Sequence, residues 1–328
     1  MQYRTIGTDP RSQREVSALS LGAMLFGSKT DEATSYAILD RFVEAGGTFI
    51  DTSNNYAFWM DGGQGGQSEE LLGRWRRSRG VGAEVVIATK LGGRPLTPGT
   101  SFLAGREGLS AKVIRESAER SRERLGVDQL DLLYAHIEDH EVPVRETVEG
   151  FAELVAEGAV GLLGVSNHRI WRVERARALA AAAGLPGYEV LQYHRSFLPH
   201  RLDLPTERDP DGNVGVAGGD LTSYLRSEPG LTLVSYGSLL WGAYTRADKP
   251  LGPEYDLPSA PVRRAALREV AEQTGATVNQ VVLAWLIGGE IPTIPLVGVS
   301  SVAQLEECLG AVDLALTPEQ RHRLDTAW

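Results

Sequence analysis

DLLYAHIEDHEVPVRETVEGFAELVAEGAVGLLGVS, residues 131–166, carries the pattern that decides the fold. Asp131–His136 and Gly161–Ser166 are short apolar runs of the kind that form buried strands. Between them, Val144–Glu157 has apolar residues at helical spacing. A strand, a helix and a second strand in this order predict a β-α-β unit with parallel strands.

The same unit repeats along the chain. The predicted strands are Leu19–Gly22, Thr48–Asp51, Val85–Lys90, Asp131–His136, Gly161–Ser166, Glu189–Tyr193, Leu231–Tyr236 and Thr293–Val297. The predicted helices are Asp31–Ala45, Ser68–Arg77, Ala111–Leu125, Val144–Glu157, Ile170–Ala183, Leu221–Arg226, Val262–Thr274, Val278–Ile287, Val302–Leu309 and a tail helix after Thr317. Asp31 and Ser110 precede two of these helices as N-caps.

Eight strand–helix units without a linker predict an α/β fold, a closed (β/α)8 TIM barrel formed as one domain by residues 1–328. Two further short strands, Gln2–Ile6 and Glu15–Ala18, are expected to form an N-terminal β-hairpin that caps the bottom of the barrel. The C-terminal tail helix closes the chain.

Composition excludes several classes of protein. The 328 residues carry a net charge of −10, which disfavours binding to nucleic acid because phosphate backbones require a dense basic surface. A single cysteine, Cys308, excludes an intrachain disulfide. The first residues lack the apolar region of a signal peptide, and the longest apolar run, Val281–Ile287, is too short to span a membrane. A cytoplasmic protein is therefore expected; the sequence leaves its oligomeric state open.

Polar residues end five consecutive predicted strands. They are Asp51, Lys90, His136, Ser166 with Asn167, and Gln192. In a β/α barrel the carboxyl ends of the strands meet at one mouth, where active sites are built. Any one of these residues alone would more often be structural, but the ordered set predicts an active site.

Three motifs at these strand ends resemble the aldo-keto reductase family. Phe49–Tyr56 (FIDTSNNY) is similar to the family signature, Ile87–Lys90 (IATK) to its lysine strand and Leu133–His136 (LYAH) to its histidine strand. The resemblance implies carbonyl reduction by a catalytic tetrad. In this tetrad Tyr56 donates the proton, and Lys90 and Asp51 adjust the pKa of the Tyr56 hydroxyl. His136 donates a hydrogen bond to the carbonyl oxygen.

The chemistry explains why these residue types occur together. Hydride addition to a carbonyl creates an alkoxide that needs a proton, and a tyrosine with a pKa of about 10 is a poor acid at neutral pH. An ammonium ~4 Å away contributes about 4 kcal/mol at an effective dielectric constant near 20, or roughly three pKa units. We therefore expect Lys90 to lower the pKa of Tyr56 and Asp51 to cancel part of that lowering.

The resemblance also implies a nicotinamide dinucleotide lying extended across the barrel mouth. The nicotinamide half is assigned to Gly22, Ala23, Met24, Asp51, Ser166, Asn167, Gln192 and Tyr236. The pyrophosphate strap is assigned to Gly237, Ser238, Leu239 and Gly242, and the adenosine end to Gly298, Ser300, Gln304 and Glu307. Ser238 replaces the family's usual proline, and Cys308 its usual asparagine.

The sequence indicates less directly which nicotinamide dinucleotide is bound. No lysine or arginine occurs between Glu269 and Gln320, where many family members bind the 2′-phosphate with a basic residue. Ser300 and Gln304 can donate hydrogen bonds instead, and Arg246 or Lys249 can supply a positive charge. NADP(H) is therefore favoured, with NAD(H) possible.

The substrate and the exact activity stay open at this level. The substrate pocket is predicted to contain Phe26, Phe58, Trp59, His136, Trp241 and the Arg195–Asp220 loop, although each aromatic ring could equally pack in the core. A reductase of aldehydes, ketones or keto-sugars is favoured. The alternatives are a redox-sensing regulatory subunit, similar to the potassium-channel β-subunits, and a non-reducing isomerase or lyase.

Two other motifs resemble a phosphate-binding loop and a zinc site, but neither is interpreted as one. The glycine run at residues 62–66 does not follow a strand and lacks the dinucleotide-binding spacing, so a loop beside the site is expected. His136 and His140 have a zinc-like spacing, but the first ends a strand and no third ligand is near in sequence. No metal site is predicted.

Overall fold

The computed structural model describes residues 1–60, 63–97, 105–204 and 214–328. Its strands are β1 (Tyr3–Ile6), β2 (Arg14–Ser17), β3 (Ser20–Gly22), β4 (Phe49–Asp51), β5 (Val86–Leu91), β6 (Leu130–Ala135), β7 (Val160–Ser166), β8 (Val190–His194), β9 (Thr232–Tyr236) and β10 (Thr293–Gly298). Within these ranges β3 to β10 are parallel and form a closed barrel in chain order, with β10 paired to β3. The predicted (β/α)8 barrel is confirmed.

The helices follow the strands as the sequence predicts. They are α1 (Glu32–Glu44), α2 (Gln67–Arg79), α3 (Ala111–Leu125), α4 (Val144–Ala156), α5 (Ile170–Ala183), α6 (Gly219–Ser227), α7 (Ala260–Thr274), α8 (Val278–Ile287), α9 (Val302–Leu309) and α10 (Pro318–Asp325). Their bounds lie within two residues of the predicted ones. Local capping explains this agreement: the Asp31 carboxylate accepts the Thr34 N–H at 2.8 Å, and Thr277 forms a capping box with Gln280.

The N-terminal hairpin closes the amino end of the barrel. β1 and β2 pair antiparallel, from Tyr3 opposite Ser17 to Ile6 opposite Arg14. Ile6 and Val16 are fully buried and pack with the apolar residues that fill the lower barrel. The predicted cap at the bottom is therefore confirmed.

The barrel interior changes from apolar to polar toward the carboxyl ends of the strands. Successive side chains of a strand alternate between its two faces, so residues two apart share the interior. Phe49 and Val190 belong to the apolar lower layer, and Asp51 and Gln192 follow them on the same face. The alternation thus brings polar groups from different strands together at the mouth.

A close approach inside the barrel requires one glycine. A Cβ atom at Gly164 would lie 2.4 Å from the ring of Tyr134 on the neighbouring strand β6. Tyr134 is fully buried in the interior layer. Gly164 therefore leaves the space that this ring occupies.

In the described part of the chain, no helix combines the length and apolarity needed to cross a membrane.

Candidate active site

A fully buried ammonium group organises the centre of the mouth. Lys90, in β5, donates hydrogen bonds to the Asp51 carboxylate, to the Thr52 carbonyl oxygen at 2.7 Å and to the Tyr56 hydroxyl at 2.9 Å. Both members of the ion pair have no exposed side-chain surface. The Tyr56 hydroxyl in turn lies 3.5 Å from Asp51 Oδ1. Three residues predicted to be catalytic therefore share one set of contacts.

The electrostatics of this group differ from the expectation based on sequence. Burial raises the pKa of Tyr56 well above its usual value, and the charge of Asp51 raises it further. Burial also lowers the pKa of Lys90, although Asp51 opposes that change. The expected net lowering of the Tyr56 pKa is wrong for this structure, because burial penalises the phenolate and the Asp51 charge repels it. Tyr56 is therefore a neutral phenol at neutral pH.

His136 follows β6 and lies beside Tyr56. Its backbone N–H donates to the Leu91 carbonyl oxygen at 2.9 Å, which ties it to the end of β5. The rings of His136 and Tyr56 have centroids 6.3 Å apart and are nearly perpendicular. The Nδ1 atom of His136 is 3.2 Å from the Ser53 hydroxyl. The fourth predicted catalytic residue is thus adjacent to the other three.

Ser53 and Asn55 contribute contacts that sequence reasoning missed. Ser53 donates to Asn55 Oδ1 at 2.7 Å, and Asn55 Nδ2 donates to the Gly93 carbonyl oxygen at 2.9 Å. Both residues lie within the FIDTSNNY motif, but nothing in that motif indicates which groups they contact. Their position between Asp51 and Tyr56 was the only available signal.

Glu107 is a second residue that the sequence did not single out. Its Oε1 atom accepts hydrogen bonds from Asn54 Nδ2 at 2.8 Å and from the Gly92 N–H at 2.7 Å. Its Oε2 atom accepts from Ser117 of α3 at 3.0 Å. This carboxylate therefore joins the loop that carries Tyr56 to the segment that follows Lys90. It lies in an irregular stretch, which offers no periodic signal.

Four of the residues assigned to the nicotinamide half are joined by a series of hydrogen bonds that ends at the Asp51 carboxylate. Gln192 Nε2 donates to Asp51 Oδ2 at 2.7 Å, and the Ser166 hydroxyl donates to the Gln192 carbonyl oxygen at 2.8 Å. Asn167 Nδ2 donates to Ser166 Oγ at 3.0 Å, and the Tyr236 hydroxyl donates to Asn167 Oδ1 at 2.8 Å. These hydrogen bonds connect the ends of β7, β8 and β9 to the Asp51 carboxylate at the end of β4.

The remaining residues predicted near the nicotinamide lie at the end of β3. The Ala23 N–H donates to the Asp51 carbonyl oxygen at 2.9 Å, so this backbone adjoins the buried ion pair. Gly22 faces Leu296 of β10, and Met24 is half-buried beyond Ala23. These three residues therefore border the same centre.

The segment after β9, predicted to be the pyrophosphate strap, has an unusual backbone. Gly237 has a φ of 66°, Leu240 of 50° and Trp241 of 52°. Left-handed conformations in residues other than glycine cost about 1–3 kcal/mol each and occur often at ligand sites. Ser238 is buried and its hydroxyl lies 2.8 Å from that of Ser235. Leu239 is half-buried, and Gly242 has a φ of 96°.

The predicted adenosine end lies at the junction of β10 and α9. Ser300 donates its N–H at 2.8 Å and its hydroxyl at 3.1 Å to Gln304 Oε1. A Cβ at Gly298 would meet no described atom within 4 Å, so this edge is open. Backbone N–H groups at the start of α9 and an adjacent hydroxyl suit a phosphate group. Glu307 instead accepts from Thr277 Oγ1 at 2.7 Å, at the start of α8.

The predicted substrate residues separate into buried and exposed groups. Phe26 is 1% exposed and packs in the main core, whereas Phe58 is almost buried and Trp59 is 48% exposed. Trp241 is 65% exposed and stacks on His194 with ring centroids 6.0 Å apart. Residues 205–213 of the Arg195–Asp220 loop, and Gly62 of the glycine run, lie outside the described residues.

His140 is directed away from the centre. Its Nε2 atom lies 3.0 Å from Glu138 Oε1, while His136 contacts Ser53. Among the residues that the structure describes, no group of three or more His, Cys, Asp or Glu side chains could hold a metal ion.

Comparison with known proteins matches this chain to one family. A family model described as the aldo/keto reductase family covers residues 18–328. Norsolorinic acid reductase of Emericella nidulans is 32% identical over 96% of this chain and 79% of its own length. An uncharacterised oxidoreductase of Bacillus subtilis, YrpG, is 30% identical over 97% and 93%. An NADP(+) aryl-alcohol dehydrogenase of Phanerodontia chrysosporium is 30% identical over 94% and 82%.

Proposed function

The chain belongs to the aldo/keto reductase family and is an oxidoreductase, and on that premise we propose that it reduces an aryl aldehyde or ketone with NADPH. Aldo-keto reductases act with nicotinamide cofactors on small-molecule carbonyl compounds. The observation that carries the proposal is the buried Lys90 ammonium, which contacts both the Asp51 carboxylate and the Tyr56 hydroxyl.

Each residue of the centre has a defined task in this reaction. The residues at the end of β3 and in the strap after β9 would hold a reduced nicotinamide cofactor, and the chemistry that it would supply is hydride donation to the carbonyl carbon. Tyr56 gives its proton to the carbonyl oxygen, and Lys90 stabilises the phenolate that remains. Asp51 and the Thr52 carbonyl oxygen hold Lys90 in place. His136, beside the Tyr56 ring, hydrogen-bonds the same substrate oxygen.

The aromatic rings next to Tyr56 support an aryl substrate. The Trp59 ring lies edge-on to Tyr56 with centroids 6.5 Å apart, and Phe58 packs edge-on to Trp59 at 5.1 Å. Trp59 has almost half of its surface exposed beside the proton donor. Two of the relatives are named for norsolorinic acid and for aryl alcohols. A planar aromatic group packed on Trp59 would place its carbonyl near the Tyr56 hydroxyl.

A substrate panel with Trp59→Ala tests this proposal. We expect consumption of NADPH with aryl aldehydes or ketones at kcat/KM values above those for aliphatic carbonyls and keto-sugars. Trp59→Ala should lower kcat/KM for aryl substrates by about two- to tenfold, since an aromatic pair contributes about 0.5–1.5 kcal/mol. Trp171→Ala is the matched control, because Trp171 is an equally exposed tryptophan on α5.

The same assay separates the competing functions. Turnover that is faster with sugars than with aryl carbonyls would contradict the aryl assignment. A regulatory subunit would retain the cofactor and turn over no member of the panel. An isomerase or lyase would convert substrate without consuming NADPH.

We further propose that NADPH is preferred over NADH through Ser300, Gln304 and Arg246. A hydrogen bond to a charged group is worth about 1.5–3 kcal/mol, and 1.4 kcal/mol is a factor of ten, so a tenfold to hundredfold preference is expected. Arg246 is exposed and paired with Asp248. Because exposed ion pairs are weak, the guanidinium can exchange Asp248 for a 2′-phosphate.

Titration of both cofactors by intrinsic fluorescence tests this preference. Arg246→Ala should reduce the ratio of NADPH to NADH affinity, whereas Asp248→Asn should increase it by freeing the guanidinium. Tighter binding of NADH by the wild type would overturn the preference. An unchanged ratio in both variants would exclude Arg246 as the partner of the phosphate.

A further inference from the structure

The hydrogen-bond partners of Asn55 determine the orientation of its amide. The Gly93 carbonyl oxygen can only accept, so the atom 2.9 Å from it must be the amide nitrogen of Asn55. The amide oxygen therefore faces the Ser53 hydroxyl at 2.7 Å. Ser53 is fully buried and Asn55 is 4% exposed, so solvent does not compete for these contacts.

The orientation of Asn55 then determines where the Ser53 proton points. A serine hydroxyl has one proton, and the amide oxygen of Asn55 can only accept, so Ser53 donates to Asn55. At its contact of 3.2 Å with His136, the Ser53 oxygen is therefore the acceptor. The donor in that contact must be the Nδ1–H group of His136.

We infer that Gly93, Asn55 and Ser53 form a relay that holds His136 in its Nδ1–H tautomer, so that a neutral His136 offers substrate an acceptor at Nε2. Which ring nitrogen of a histidine carries the proton is set by the hydrogen bond that the other makes. Ser53 and Asn55 are thus positioning residues that act through His136. The inference rests on the proposed function for its catalytic consequence, but the tautomer is a property of the ligand-free protein.

The consequence is that the rates of carbonyl reduction and of alcohol oxidation depend on pH in opposite ways. A carbonyl oxygen only accepts hydrogen bonds, so Nε2 can bind it only when His136 is an imidazolium that carries a second proton. An alcohol hydroxyl can donate to the neutral ring. The relay therefore makes carbonyl reduction fall as pH rises through the pKa of His136, while alcohol oxidation rises over the same range.

Other charged groups around His136 shift its pKa, but they do not change the direction in which either reaction depends on pH. They lie on the loop after β4, on β5 and its following segment, and on the loops after β6 and β7. Besides Asp51 at the end of β4, the charged and titratable groups among the described residues of these elements are Tyr56, Lys90, Arg94, Arg106, Glu107, Glu138, Asp139, His140, Glu141, His168 and Arg169. The pKa is therefore read from the wild-type protein and used as the reference for the variants.

The tautomer is measured directly by ¹⁵N NMR of the ligand-free protein labelled at histidine. The chain has six histidines, and the His136 signals are those missing from His136→Gln. Above its pKa we expect the wild-type ring to have a protonated Nδ1 and an unprotonated Nε2. A neutral ring protonated at Nε2 would overturn the inference, whatever the enzyme's activity.

Two variants of Ser53 link the tautomer to catalysis. Ser53→Ala removes the acceptor, so the neutral ring can carry its proton at Nε2 and donate to a carbonyl. The alkaline fall in kcat/KM for reduction, about tenfold per pH unit in the wild type, should flatten in this variant. Ser53→Thr keeps the hydroxyl and should keep both the Nδ1–H signal and the alkaline fall.

The outcomes distinguish this inference from the proposed function. If no carbonyl is reduced, the proposed function fails, and the wild-type NMR spectrum still decides the tautomer. If carbonyls are reduced and Ser53→Ala retains the wild-type alkaline fall and the Nδ1–H signal, the relay is wrong. If Ser53→Ala does not fold, the wild-type and Ser53→Thr spectra decide the question.

Discussion

Tyr56→Phe is expected to lower the turnover of carbonyl reduction by about 10²- to 10⁴-fold, the usual contribution of a positioned general acid. The substitution removes the hydroxyl that Lys90 contacts at 2.9 Å and leaves the ring beside His136 and Trp59. Cofactor affinity should change little, because the proton serves the substrate oxygen. Single-turnover rates and fluorescence titration with NADPH measure the two effects separately.

Tyr188→Phe provides the matched control for this loss. Tyr188 is also a buried tyrosine, but it precedes β8 and therefore lies at the amino end of the barrel, opposite the mouth. Its variant should reduce carbonyls at the wild-type rate. Rates within a factor of about three of wild type for Tyr56→Phe would remove Tyr56 from the mechanism, since general acids contribute far more.

Lys90→Met is expected to abolish most turnover and also to lower the free energy of unfolding by about 3–5 kcal/mol. The substitution leaves the Asp51 carboxylate fully buried without its cation, although Gln192 still donates to it at 2.7 Å. Removal of one partner of a buried ion pair is costly because the remaining charge has lost its hydration. Urea unfolding gives the stability, and steady-state rates give the activity.

Two further variants separate the loss of charge from the loss of packing. Lys90→Met combined with Asp51→Asn removes the buried charge and should regain much of the stability but none of the activity. Lys112→Met replaces an exposed lysine of α3, 82% exposed, and should behave as wild type. Normal activity and stability in Lys90→Met alone would show that Lys90 and Asp51 are not coupled.

Local patterns were sufficient to predict the barrel and the arrangement of its elements. The bounds of α3, α5, α8 and α9 coincide with the predicted ones, because Ser110, Thr277 and Ser301 cap the starts of α3, α8 and α9, and Gly184 ends α5. Strand ends were predicted slightly less well, since a short apolar run does not show where pairing stops. Burial of Phe26 could not be predicted, because an aromatic ring near the mouth is compatible with both core packing and exposure.

The sequence by itself determined the fold and the set of polar residues at the mouth, because both follow from periodicity along the chain. The tertiary structure alone decided how those residues interact. The raised pKa of Tyr56 depends on burial and on Asp51, and Glu107 joins segments that are distant in sequence. The proton of His136 depends on the orientation of the Asn55 amide, which is set by Gly93. Such properties arise from distances and solvent exclusion between separate strands and loops, and a linear pattern does not record them.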